Sequence, residues 1–235
     1  MLTTHPLPIE CEKCHTDQSF VMRVRVDAVK QPQDKEDLIS GKLNTFVCPK
    51  CRFTKVYDCP LWYEDKKKNL MVLVVPSFAQ IEHRYPPPGI RKTTQLRTVT
   101  TRNQLIEKIF LRDARLDDRV IEYLKVQMRT DALRRSIPVD GNLMFTGVEL
   151  NDDGEPVLQF QDFTGASDDE FLGVSLNHYK HAAKALKPFI ARIPVPDILW
   201  QTVDRNYGKQ LEQFVDKEIE KLEKLEKPQR NKRSR

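Results

Sequence analysis

Two cysteine pairs of identical spacing, Cys11-Glu12-Lys13-Cys14 and Cys48-Pro49-Lys50-Cys51, constrain this chain more than any other feature. Together they offer four thiolates to one tetrahedral ion. Four sulfur ligands complete the coordination shell of Zn²⁺ and leave no position for water or substrate, so such a site holds a fold rather than performs a reaction. One C-x-x-C alone is a weak signal; two copies separated by 33 residues are a much stronger one. In a zinc ribbon each pair sits at a hairpin turn, and the chain between them leaves one turn and returns to the other. The expectation is one Zn²⁺ per chain, held by Cys11, Cys14, Cys48 and Cys51. A mononuclear iron centre, which uses the same four thiolates, is the lesser option.

Three rival uses of these cysteines compete with a metal site. Cys11 to His15 matches the C-x-x-C-H haem-attachment pattern, but that leaves the second pair unexplained and requires export. Met1 to Glu10 has neither a basic nor an apolar leader segment, and nowhere do 18 apolar residues run together. A cytoplasmic chain with no membrane partner is the expectation. A redox pair at Cys48 and Cys51 wants a helix N-terminus, whereas Arg52 to Tyr57 alternates like a strand. Disulfides fit poorly with a total of five cysteines and a reducing compartment. Cys59, among Tyr57, Leu61 and Trp62, reads as a packed small side chain. His5 and His15 read as surface histidines.

Charge is segregated along the chain. The net charge of +5 comes largely from Arg230, Lys232, Arg233 and Arg235 in the last eight residues, which leaves the remainder nearly neutral. From Arg84 to Arg102 there are five basic residues and no acid, while Glu149 to Glu170 holds eight acids and no base. The two stretches can pair with each other, or the basic one can meet phosphates.

Hydrophobic periodicity gives the elements. Phe20 to Val26 alternates as a half-buried strand, Asp34 to Ser40 reads as a short helix stopped by Gly41, and Phe53 to Tyr57 as a strand. Leu61 to Tyr63 and Leu70 to Val75 flank a polar turn, predicting a hairpin whose second strand is buried on both faces. Pro86-Pro87-Pro88-Gly89 marks a stiff connector. Thr101-Arg102-Asn103-Gln104 has capping-box spacing ahead of Leu105, Ile106, Ile109 and Phe110. A further helix starts at Asp117 or Asp118, with Val120, Ile121, Leu124, Met128 and Leu133 facing inward. Both helices are expected to cover the sheet, or else to form a dimer surface.

The ordered set of Cys-x-x-Cys, alternating strand, short acidic helix with Leu38-Ile39-Ser40-Gly41-Lys42-Leu43-Asn44, Cys48-Pro49-Lys50-Cys51 and an apolar hairpin resembles the CpXC domain family of bacteria and archaea. Gln104 to Ile109 and Leu116 to Glu122 are similar to the helical part that accompanies it. The resemblance covers roughly residues 8 to 128 and implies a metal-binding domain with the four cysteines as ligands. Departures are Glu12, where the family name has Pro, and His15 and Arg52, where zinc ribbons commonly place a Gly. A left-handed backbone suits His better than Arg, so the knuckle geometry is open at this point.

The C-terminal half is less specific. Leu143 to Leu150, the turn Asn151 to Glu155, and Val157 to Phe163 predict a β-hairpin with an Asp-Gly turn. The acids of that turn lack EF-hand order. His178 and His181 read as an exposed helix edge without the H-E-x-x-H arrangement. From Asp204, Tyr207, Leu211, Phe214 or Val215, Ile219, Leu222 and Leu225 form an apolar stripe that packs on the body or a partner helix, ended by Pro228.

These readings combine into an α+β chain: a zinc-ribbon-like β-sheet domain with covering helices, then a β-hairpin/helix region and a C-terminal helix. The β part spans 1–85, its helical part 90–135, the hairpin and helix region 139–203, the amphipathic helix 204–227 and the basic tail 228–235. No P-loop, dinucleotide fingerprint or nucleophile elbow is present among only 8 glycines, so no enzyme activity is expected. The leading expectation is a zinc-stabilised binding or scaffold protein with a protein partner; self-association is left open. The alternative is nucleic-acid binding through Arg91, Lys92, Arg97, Arg102, Arg230, Lys232, Arg233 and Arg235. A redox or hydrolytic enzyme is the third option.

Overall fold

The computed structural model describes residues 4–77, 79, 88–136, 142–162, 171–193 and 200–230. The chain divides into two compact units, residues 1–109 with 196–202, and residues 110–195 with 203–235.

The first unit begins with the antiparallel hairpin of β1 (Thr4–Glu10) and β2 (Asp17–Arg23), which carries the first cysteine pair at its turn. The alternating run from Phe20 to Val26 is not one strand. It breaks at Val24, and its end becomes β3 (Arg25–Asp27), which pairs with a different sheet. Phe20 therefore faces the cysteine cluster while Val26, fully buried, faces the main core. After α1 (Pro32–Ile39), which starts on a proline and ends before the left-handed Gly41 (φ 75°), the chain forms the second hairpin, β4 (Thr45–Val47) and β5 (Thr54–Val56).

The main sheet has the order β3-β6-β7-β8, from β6 (Leu61–Asp65), β7 (Leu70–Val74) and β8 (Gln95–Val99). The expected hairpin β6–β7 is antiparallel; Asp65 accepts the Lys68 N–H at 3.0 Å, and Asn69 takes a left-handed φ of 50° to close its turn. β3 lies parallel to β6, and β8 parallel to β7. Every residue of β6 and β7 is buried, as expected for strands covered on both faces. One face, with Tyr63, Leu70, Val72 and Val74, meets Leu38 of α1 and Leu105 and Ile109 of α2 (Arg102–Asp113). The other, with Trp62, Met71 and Leu73, meets Trp200 in an edge-to-face contact at 5.2 Å. Trp200 arrives on a segment whose Gln201 bridges Arg97 of β8, a return the sequence did not signal. The capping box forms as read: Gln104 N–H donates to Thr101 Oγ1 at 3.2 Å, and Gln104 Oε1 accepts from the Thr101 N–H at 3.2 Å.

The second unit contains α3 (Asp118–Arg134), capped by Asp117, followed by the sheet of β9 (Leu143–Leu150), β10 (Pro156–Asp162) and β11 (Phe171–Ser175) in the order β11-β10-β9. α4 (Leu176–Ile190) and α5 (Arg205–Arg230) complete it. Its core joins Ile121 and Leu124 of α3 to Phe145, Phe160, Tyr179 and Leu211. α3 was expected over the same sheet as α2; its apolar face instead lines this second core, because Val120, Ile121 and Leu124 meet β9, β10 and α5 residues. Leu133, expected inward, is 70% exposed, since the helix ends one residue later. Gly208 permits the close approach of α5 to α3: a Cβ there would lie 2.4 Å from the Glu122 carbonyl oxygen. Pro228 does not end α5, which runs on to Arg230; a proline removes one backbone hydrogen bond without forcing the following residues out of helical geometry. Among the described residues no helix is long and apolar enough to cross a membrane.

Candidate metal centre

Each cysteine pair sits in the same backbone device. In the first, the His15 N–H donates to the Cys11 carbonyl at 2.8 Å and the Cys11 N–H to the Thr16 carbonyl at 3.1 Å. In the second, the Arg52 N–H donates to the Cys48 carbonyl at 2.9 Å and the Cys48 N–H to the Phe53 carbonyl at 2.8 Å. Both knuckles are closed by a left-handed residue, His15 at φ 52° and Arg52 at φ 62°. The missing glycines therefore leave the turn geometry intact, at a cost of order 1 kcal/mol for a non-glycine residue in this region.

The two knuckles converge. The four sulfurs lie within 4.8 Å of one another, with Cys11 Sγ to Cys51 Sγ at 3.6 Å and Cys14 Sγ to Cys48 Sγ at 3.7 Å. A tetrahedron with metal–sulfur bonds of about 2.3 Å has edges of about 3.8 Å, so the four side chains fit a single tetrahedral ion. Cys11 and Cys48 are buried, and Cys14 and Cys51 are half-buried.

Around the sulfurs is a small apolar shell of Ile9, Phe20, Phe46, Phe53 and Tyr57. Phe20 meets Phe46 edge-on at 6.0 Å and Tyr57 at 5.4 Å. An ion pair between Lys55 and Glu12 ties the second hairpin to the first knuckle, and His15 Nδ1 pairs with Glu10 at 2.6 Å on the surface.

The thiols divide electrostatically. The Thr16 hydroxyl, 3.3 Å from Cys14 Sγ, favours the thiolate and holds Cys14 down at about 6. Backbone N–H groups of Cys51 and Lys50 lower Cys48. At Cys51 the Phe53 N–H also favours the thiolate, yet burial and the three neighbouring sulfurs outweigh it and push the thiol up to about 12. Four crowded thiols cannot all ionise against one another; a divalent ion at their centre removes that conflict, because a coordinating thiol is deprotonated outright.

Residues 9–125 match the family described as CpXC protein, a span that contains both knuckles, the main sheet and α2. This part of the chain is a CpXC domain. No curated protein and no solved structure matches the chain. The family match and the four-sulfur cluster together suggest a metal-binding module, whose four cysteines are placed to hold one ion.

The basic residues of the sequence reading that the structure describes differ in their surroundings. Arg97 is 4% exposed and donates to the Leu96 carbonyl and Gln201 Oε1, both at 3.1 Å, so it belongs to the sheet interior and not to a phosphate-facing surface. Arg102, also read as a phosphate contact, is half-buried and donates to the Leu43 carbonyl at 2.6 Å, bracing the start of α2 against the loop before β4. Arg91 and Lys92 are exposed. Lys232, Arg233 and Arg235 lie outside the described residues, as do Arg84 and the first two prolines of the connector; the Arg230 backbone closes α5.

Cys59 stands apart from the cluster. Asn44 Nδ2 lies 3.4 Å from its sulfur, and burial pushes the thiol up to about 11. Asn44, named in the sequence only as part of the family resemblance, has a bonding role of its own. Left-handed at φ 57°, it accepts the Arg23 N–H at 2.7 Å and donates to the Arg23 carbonyl at 2.9 Å, stitching β2 to the chain that leads into the second knuckle. Its only sequence signal is an Asn two residues after Lys42, a residue type enriched where φ is positive.

Proposed function

We propose that the CpXC domain holds one structural Zn²⁺ through Cys11, Cys14, Cys48 and Cys51, and that the chain acts in the cytoplasm as a binding or scaffold protein with a protein partner. The observation that carries the reading is the convergence of two equivalent knuckles on four sulfurs spaced as the edges of one tetrahedron. A shell completed by four thiolates offers no coordination position to a substrate, which supports a role in folding and recognition without a catalytic step. Zinc is favoured over iron because it is the usual occupant of closed four-cysteine ribbons, while the donor set itself suits both.

The nucleic-acid alternative loses support where Arg97 and Arg102 are engaged inside the fold. A protein partner accords with the nearly neutral body of the chain and with exposed Val21, Val47 and Val56 on the ribbon strands.

Elemental analysis of freshly purified protein tests the reading. One zinc per wild-type chain, absent from Cys11→Ser and Cys48→Ser, is expected. Iron in its place, or full stability with no metal, would overturn it.

A further inference from the structure

The face of the main sheet that carries Trp62 and Met71 is apolar over only part of its length. Beside the β6–β7 turn it opens into a cavity of about 330 Å³. Glu64 and Met71 line it from the sheet, Arg25 from β3, and Pro88 to Arg91 with Thr94 from the chain that leads into β8. That chain is held in place. The Thr94 N–H donates to the Arg91 carbonyl at 2.8 Å, the Gln95 N–H donates to the Asn69 carbonyl at 2.9 Å, and Ile90 packs on the cluster of Trp62 and Met71. The wall that carries Arg91 is thereby tied to the β6–β7 turn.

The charged lining is weighted toward cations. Glu64, 2% exposed, accepts from Arg25 Nη2 at 2.8 Å and stands 3.4 Å from Lys66 Nζ. A buried carboxylate is costly unless it is paired, and here two cations share the one acid. Asp65 is engaged at the turn, where it accepts the Lys68 N–H at 3.0 Å. Arg91 is exposed, and among the described residues no acid, carbonyl or ring meets its guanidinium. Asn69 and Thr94 add an amide and a hydroxyl to the same lining.

We propose that this cavity binds a small organic carboxylate, with Arg91 as its anchor. Arg25 and Lys66 are shared with Glu64, which leaves one guanidinium fork to be satisfied. A planar carboxylate matches that fork with two parallel N–H···O bonds. A phosphate monoester, carrying about −1.5 to −2, would need a second cation drawn away from Glu64. Size points the same way. About 330 Å³ lies at the lower end of ligand cavities, roughly 300–1,000 Å³, so the occupant is a small molecule and not a polymer. Met71, Ile90 and Pro88 offer its body an apolar wall.

Titration of the metal-loaded full chain with acetate, butyrate, hexanoate and benzoate, each beside its neutral amide, tests this through the backbone amide NMR shifts of Asn69 and Thr94. Saturable shifts that tighten from acetate to hexanoate, and that are absent with the amides, are expected. Arg91→Ala removes an exposed side chain and leaves the fold intact. It should weaken hexanoate about tenfold or more, the worth of a charge-assisted hydrogen bond. Arg91→Lys keeps the charge without the fork and should fall between the two. No saturable shift with any of the acids, equal binding of acid and amide, wild-type affinity in Arg91→Ala, or phenyl phosphate binding more tightly than benzoate would overturn the proposal. The cavity shares no residue with the cysteine cluster, so failure here leaves the metal assignment standing.

Discussion

The ribbon and the main sheet of the first unit solve the same problem by different means. In the main sheet all ten residues of β6 and β7 are buried, and α1 and α2 close one face while Trp200 packs on the other. In the ribbon, two separate two-stranded sheets share a core in which only Ile9, Phe46, Cys11 and Cys48 are buried. A lone two-stranded hairpin is marginal in water, and segments of this size need a metal or a disulfide to hold together. The cysteines thus occupy the centre that large side chains fill in the sheet. The difference teaches that a metal held by these four thiolates would substitute for burial in the region that cannot bury enough.

The comparison can be broken most forcefully at the ligands. Cys48→Ser should abolish metal binding and melt the ribbon, because metal affinity in such modules is itself folding free energy, about 10–16 kcal/mol for isolated zinc fingers. Thermal unfolding read by fluorescence of Trp62 in the main sheet and Trp200 packed against it should nonetheless retain a cooperative transition. Loss of that transition would mean that the two regions are one folding unit. The reverse experiment is Leu38→Ala, which empties a fully buried site between α1 and the sheet. It should cost about 2–5 kcal/mol in denaturant unfolding while metal stoichiometry stays the same.

Asn44 sharpens the comparison because it ties the first ribbon hairpin to the chain that enters the second. Asn44→Ala removes both hydrogen bonds to Arg23 and leaves an alanine at positive φ, a loss of about 2–4 kcal/mol. Asn44→Gly relieves the backbone but not the missing bonds, so it should fall between Ala and wild type; equal losses would show that φ contributes nothing.

The smallest effect concerns Cys59. Its folded thiol is raised to about 11 by burial, above the 9.0 of an exposed thiol. Below pH 9 both states are protonated and stability is complete; between 9 and 11 the unfolded chain ionises first, and stability falls by up to about 2 kcal/mol. Cys59→Ala should flatten that alkaline slope. The same burial makes Cys59 slow toward alkylating reagents near neutral pH, so the metal-loaded chain should show no fast-reacting thiol.

How much of this was legible in the sequence depended on the range of the interaction. The four cysteines, the β6–β7 hairpin, the capping box at Thr101 and the β9–β10 hairpin are written in local spacing and periodicity, and all appear where read. What was not legible is set by distant partners. β1 carries His5, Pro6 and Pro8 and has no strong strand pattern; it forms because β2 and the metal knuckle hold it. The break at Val24 is invisible in an unbroken alternation, since it exists only where β2 and β3 find different neighbours. Arg97 reads in sequence as a surface cation because its partner, Gln201, lies more than a hundred residues away. His15 and Arg52 were readable as departures but not as successes, because each knuckle's hydrogen bonds are made by residues that no pattern marks.

The central claim, a structural metal on which the fold of the ribbon depends, is tested most directly by hydrogen exchange of the full chain with and without a chelator. Metal removal should strip protection from peptides covering 4–23 and 45–57 and leave those covering 61–74 protected. Unchanged protection in the ribbon, or equal loss in both regions, would contradict the account.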